Sequence, residues 1–296
     1  MKCKFLVLFV GAALASLLYP PLASADSILK TAGNFAVLAG TPNITNTGST
    51  TITGDVGIHP GNSITGMGPG ADQITLTGAY HIADSVALQA KTDLTTAYTA
   101  LNLMPATQTL TNAQLGGLTL TSGVYDFSGD PAAVLLTGAL TLNAEGNNNA
   151  YWVFQIPNAL TTAVGSVVVG NFGSNGGSDD GLFWVVGSSA GIFGSTSLQG
   201  NILAHTSITL DNSAKILHGR ALAETGTVTM DTNTISFLCY NSGPGLSGGL
   251  RYDTAGNIVP IGPSQGPSPI PEPASMLLLG SGLAGLVALR KRSKKA

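Results

Sequence analysis

The side chains that could make or break bonds are few and scattered. His59, His81, His205 and His218 have no spacing that would let them share a metal ion. Cys239 is the only cysteine after the first few residues, so it reads as a small buried residue near the end of the last strand. Asp179 and Asp180 are adjacent, but their Gly/Ser-rich loop offers no second acidic partner to divide acid and base roles. They read as a hydrated loop tip. No Gly-rich phosphate loop opens a helix, and no nucleophile elbow is present. No cofactor and no metal are expected. The chemistry left over is that of threonine, which occurs 32 times.

Each Thr carries a hydroxyl and a methyl on a stiff β-branched stem. A flat, repeating array of such side chains would anchor ordered water with its hydroxyls and exclude loose water with its methyls. Charges would spoil it, and this chain is short of them. Residues 26–270 hold five basic residues (Lys30, Lys91, Lys215, Arg220, Arg251) against fourteen acidic ones, a net of −9. The cation shortage argues against nucleic acid, whose phosphates need Lys and Arg clusters. A rigid Thr face of this kind suits an ordered-water ligand, which is ice.

Such a face needs a frame. Residues 26–78 read as short strands (36–39, 50–53, 73–77) separated by Gly, Pro and Asn turns. Over 80–103 the period changes: Ile82, Val86, Ala90, Leu94, Ala97, Tyr98 and Leu101 recur at three and four, with Asp84, Lys91 and Asp93 off the stripe. This predicts one amphipathic helix, stopped by Pro105. From Leu115 to Phe237 the chain is β again, and it repeats itself. Asn201–Ala204 matches Arg220–Ala223, Ile208–Asp211 matches Val228–Asp231, and Trp152–Ile156 is echoed by Leu182–Val186. A period near 20 built of short strands is that of a solenoid, with three faces to a coil; a β-sandwich with accidental similarity is the alternative. Residues 242–270 read as a Gly/Pro/Ser linker.

Both ends address a membrane. Lys2 and Lys4, the apolar run Phe5–Leu18 and the small-x-small site Ala23-Ser24-Ala25 make a signal peptide (residues 1–25) for signal peptidase, leaving a domain over 26–241; a retained anchor is the alternative. At the other end, Pro271-Glu272-Pro273 precedes an apolar run, 274–289, and a basic cluster from Arg290 to Lys295. Residues 271–296 resemble the PEP-CTERM sorting signal, which implies transient residence in the inner membrane, processing by an exosortase-type enzyme, and a final location at the cell surface or outside the cell. A plain single-span anchor is the alternative.

The domain resembles the microbial ice-binding proteins. The likeness rests on Phe35–Gly40, Asn46-Thr47-Gly48, Thr53–Gly57, the helical run 90–98, Leu115–Tyr125, Phe183–Ala190, Gly200–Ala204 and Gly219–Ala223. It implies a mainly β fold, a right-handed, discontinuous, roughly triangular parallel β-solenoid flanked by one long helix, acting as a monomer on ice. Thr-Ala/Gly-x-Thr/Asn steps mark the active face in that family. Thr47–Thr50 fits this step, and Thr162–Gly165 fits its first half. The candidates for ice contact are therefore Thr47, Thr50, Thr162, Thr196, Ser213, Thr232 and Thr234. Lys215, beside them in sequence, would weaken a flat ice face, so modest activity is expected. The family's frequent cysteine near position 180 is replaced here by Asp179-Asp180. A surface adhesin for cells or polysaccharide, and a carbohydrate-active enzyme, are the rival functions.

Overall fold

The computed structural model describes residues 28–262, apart from 69, 71, 174–175 and 239–245. The signal peptide, Cys239, the apolar run 274–289 and the sorting tripeptide lie outside the described residues.

The chain winds as a β-solenoid with three faces. The first residues show the path. Phe35–Ala39 lies on face 1, Asn43–Thr47 on face 2 and Thr50–Thr53 on face 3, and Asp55–Ile58 then returns to face 1 beside Phe35–Ala39. All strand pairs on the three faces are parallel. Face 2 is a separate seven-stranded sheet, while faces 1 and 3 belong to one fifteen-stranded sheet because Ser197–Ala204 and Lys215–Ala223 bend round the corner between them. The repeats seen in the sequence are the register itself: Asn201 pairs with Arg220, Ile208 with Val228, and Trp152 with Leu182.

The stack is discontinuous. The last coil, Val228–Asp231 and Thr234–Ser236, pairs with the first, Asn43–Thr47 and Thr50–Thr53. The chain therefore builds one end of the stack with residues 35–82, crosses to the other end, and climbs back. The crossing is the helix Ser85–Asn102, about 27 Å long at 1.5 Å per residue. Inside the prism, strand alternation points Ile and Leu inward, and Tyr125, Phe154 and Trp184 stack in successive coils with centroids 5.4 and 4.4 Å apart.

Face 1 has apolar residues on its outer side too. Phe35, Leu38, Val153, Phe183, Leu203 and Leu222 are covered by Ala90, Leu94, Ala97 and Leu101 of the helix. Burying each large side chain there contributes about 1.5–3 kcal/mol. The helix begins later than its periodicity predicts. Tyr80–Ile82 is a strand paired with Val56–Ile58, and Asp84 caps the helix by accepting from Ala87 N at 2.8 Å. Val86, predicted to be on the buried stripe, is exposed, whereas Lys91 and Asp93 are buried. Both have backbone partners to explain it. Lys91 Nζ donates to the carbonyls of Ala223 and Glu224 at a coil corner, and Asp93 accepts from Thr31 N and Oγ1.

The expected linker is folded in its described part. Leu246 and Leu250 are buried, and Leu250–Tyr252 pairs antiparallel with Ile258–Pro260. The Gly and Pro that suggested a linker flank a hairpin whose turn is fixed by the Asp253 carboxylate, which accepts from Ala255 N and Asn257 N.

Candidate functional site

With face 1 under the helix, faces 2 and 3 remain open. On face 2 the middle residue of a strand points outward between two inward neighbours, mostly apolar, with Asn46 and Thr162 the polar exceptions. Ile208-Thr209-Leu210 and Val228-Thr229-Met230 show this most plainly. The register lines these residues up as a column: Leu135, Thr161, Gly191, Thr209, Thr229, Thr45. Neighbours in the column are about 4.8 Å apart, and the next column lies two residues away, about 6.7 Å along the strand. That second column contains Ser207, Thr227 and Asn43, partly exposed, and ends at Ser63.

Among the described residues no cation lies on this face, and Arg251 is in the hairpin strand Leu250–Tyr252. Lys91 and Arg220 are buried, Lys30 lies over the Tyr252 ring, and Lys215 is on face 3 in register with Ser197 and Thr234. The expected weakening by Lys215 therefore does not apply to face 2. Acidic groups reach only its edge, where Asp211 and Asp231 follow the last inward residues of their strands and Asp231 pairs with Thr47. Among the described residues, the hydroxyls of Thr45, Thr161, Thr209 and Thr229 have no protein hydrogen-bond partner. They are free to bind water.

The residues singled out in the sequence fall elsewhere, mostly at the corner between faces 2 and 3. Thr50, Thr162 and Thr196 are buried inside it. The turn leaves backbone groups without ladder partners, and these side chains supply them. Thr162 Oγ1 accepts from Phe193 N at 2.8 Å and lies 3.1 Å from Thr196 Oγ1, which donates to Ala163 O. Thr50 Oγ1 accepts from Asn233 N, and Asn233 Nδ2 donates to the carbonyls of Asp211 and Ala214. Ser213 and Thr232 sit on the outside of the same corner with φ of 63° and 54°, in the left-handed region that Gly48 (68°) and Gly165 (71°) occupy in other coils. Thr47 is exposed at the edge of face 2, and Thr234 is on face 3 beside Lys215 and Thr51. The outward column was missed, although the repeat that pairs 208–211 with 228–231 contains it: the central Thr of each apolar-Thr-apolar triplet is the signal.

Among the described residues the titratable groups show no catalytic grouping. His81 Nδ1 lies 2.9 Å from Asp84 Oδ2, His205 Nδ1 lies 2.8 Å from Glu224 Oε2, and His218 meets Leu238 O. Among the described residues no three His, Cys, Asp or Glu come together as a metal site. Asp180, read as a hydrated loop residue, is buried. One carboxylate oxygen accepts from Ala150 N at 2.8 Å and the other has no partner, and loss of solvent pushes its pKa up to about 6.

Comparison with known proteins agrees with this fold. Residues 37–236 match the ice-binding-like family, and residues 269–293 match the PEP-CTERM protein-sorting motif. An ice-binding protein of Nostoc sp. (strain HG1) is 40% identical over 294 residues, covering 99% of this chain and 97% of that protein. The crystal structure of an ice-binding protein from the Antarctic ascomycete Antarctomyces psychrotrophicus aligns with a TM-score of 0.63 at 37% identity, covering 70% of this chain and 96% of the other. One from an Antarctic biological consortium aligns equally well (0.63) at 42% identity, covering 71% and 90%. The chain thus belongs to the ice-binding-like family, and it ends in a PEP-CTERM sorting motif.

Proposed function

We propose that this protein is exported, sorted to the cell surface or released outside it, and adsorbs to ice through face 2, inhibiting ice growth or recrystallisation. The observation that carries this is the column Thr161, Gly191, Thr209, Thr229, Thr45, which is held in register by a parallel ladder and, among the described residues, flanked by no cation. The rigidity of the ladder pre-orders the hydroxyls and methyls, so little side-chain entropy is lost on binding. Adsorbed molecules force the ice front to curve between them, which stops its advance. The exported chain acts as a monomer after processing by signal peptidase and an exosortase-type enzyme. Within the earlier candidate set, Thr47 and Thr232 border the face, Ser213 lies at its corner, and Thr234 belongs to face 3. The buried Thr50, Thr162 and Thr196 support the corner from inside.

An ice-recrystallisation assay tests this. Fine-grained ice held just below its melting point should stay fine in the presence of the exported protein at micromolar concentration. Ordinary coarsening would refute the proposal.

A further inference from the structure

In a three-sided prism the edge between faces 1 and 3 lies opposite face 2, and both described ends of the chain are fastened along that edge. The corner there is formed by His218-Gly219 in one coil and by the loops before Gly181 and Tyr151 in others. After the last coil, residues 246–249 run down it, the hairpin 250–260 packs against the layer between face 1 and the helix, and 261–262 return to the edge, the whole forming a strap. Leu246 N donates to His218 O, Leu182 N donates to Leu246 O, Ser247 bridges Gly181 antiparallel, and Gly248 N donates to Asp180 O. Asn201 Nδ2, buried inside the corner, donates to Leu246 O at 2.7 Å. The described part of the strap reaches the point where Ile261 N donates to Gly249 O and Asn149 Nδ2 donates to Gly262 O, beside the loop before Tyr151. The N-terminal side is clasped to the same edge: Tyr252 Oη donates to Ile28 O, and Arg220, next to the corner, donates to Gly33 O.

We infer that the strap sets the direction in which the domain is displayed: a molecule held by its C-terminal end points face 2 away from whatever holds it, and so binds ice while attached, joining that surface to ice. The strap is built for this task. Leu246 is buried in the solenoid core, and its backbone contacts fasten the exit of the chain at a fixed place, whereas a free tail leaving at Phe237 could swing over either open face. No strap residue meets face 2, so attachment leaves the Thr column uncovered. The inference rests on the proposed role of face 2, and the test separates the two.

The full chain is prepared with a biotin-acceptor peptide inserted after Gly262 and held on streptavidin beads through it, with a protease site in the insert to free the domain. Beads bearing this chain should be captured by a slowly growing ice front, and beads bearing the Thr209→Tyr/Thr229→Tyr chain should be left in the liquid. Beads that ice ignores, although the domain cleaved from them adsorbs to ice, would overturn the displayed orientation. Capture that survives the double substitution would overturn it as well, since contact would then be made by another surface. If the cleaved wild-type domain also ignores ice, the proposed function itself falls.

Discussion

Thr209 and Thr229 stand side by side on adjacent coils, paired in parallel register, each between two inward-pointing apolar residues. Their side chains share an orientation that the ladder imposes, so a bulky replacement at either position lifts any flat ligand off the whole row. Thr209→Tyr should abolish most of the inhibition of recrystallisation while leaving the stability within the spread usual for surface changes, about ±0.5 kcal/mol. The matching change on face 3, Thr51→Tyr, should leave inhibition intact. Ice-crystal morphology and thermal unfolding measured on the same samples check both. Equal loss from the two variants would show that face 2 is not the binding surface.

A second expectation concerns the buried corner. Thr162→Val keeps the shape but removes the acceptor for Phe193 N and the partner of Thr196 Oγ1. An unsatisfied buried donor costs about 1–3 kcal/mol. Denaturant unfolding should therefore show a loss of that size, and the fully folded variant should keep its activity on ice. A variant as stable as the wild type but inactive would mean that Thr162 is exposed to ice after all.

These two sites show where the sequence was readable. The solenoid could be recognised because stacked coils need equivalent inward residues, so Ile208 and Val228, or Trp152 and Leu182, repeat at the spacing of a coil. The helix was legible from Ala90, Leu94, Ala97 and Leu101, which must cover face 1. Its start was not, because Tyr80–Ile82 extends the apolar pattern while pairing as a strand. The face was harder still. Thr at a corner and Thr on a face look alike in sequence, and the difference lies in which backbone groups the turn leaves unpaired. Thr162 and Thr161 are neighbours in the chain, yet one faces the core and the other the solvent.

Asp180 makes stability depend on pH. Burial raises its pKa from 3.8 to about 6, and the neighbouring Asp179 adds to the shift. Between those values the folded chain holds a proton that the unfolded chain has released. The contribution is thus fully present below about pH 4 and is lost as pH rises through about 6. Asp180→Asn removes this dependence. Relative to wild type, the variant should be more stable at pH 7, and the gap should close as the pH falls toward 4. Thermal unfolding of both chains across this range checks it; a constant gap would mean that Asp180 titrates normally.

The strap gives the last expectation. A chain ending at residue 241, where the linker was expected to begin, loses Leu246 from the solenoid core and Leu250 from the layer between face 1 and the helix. It also strips Asn201 Nδ2 of its acceptor at Leu246 O, although Leu182 O remains. Truncating a buried Leu costs about 2–5 kcal/mol, and this deletion removes two, with the hairpin that shields them. A chain ending at 262 should unfold in one transition at the wild-type temperature, whereas the shorter chain should melt well below it and be nicked faster by protease in the 173–181 loop, which Gly248 covers through Asp180 O. The Thr column of face 2 does not touch the strap, so at low temperature, where both chains are folded, their effect on ice per molecule should be the same. Equal melting of the two chains would show residues 246–262 to be the linker that their composition suggests.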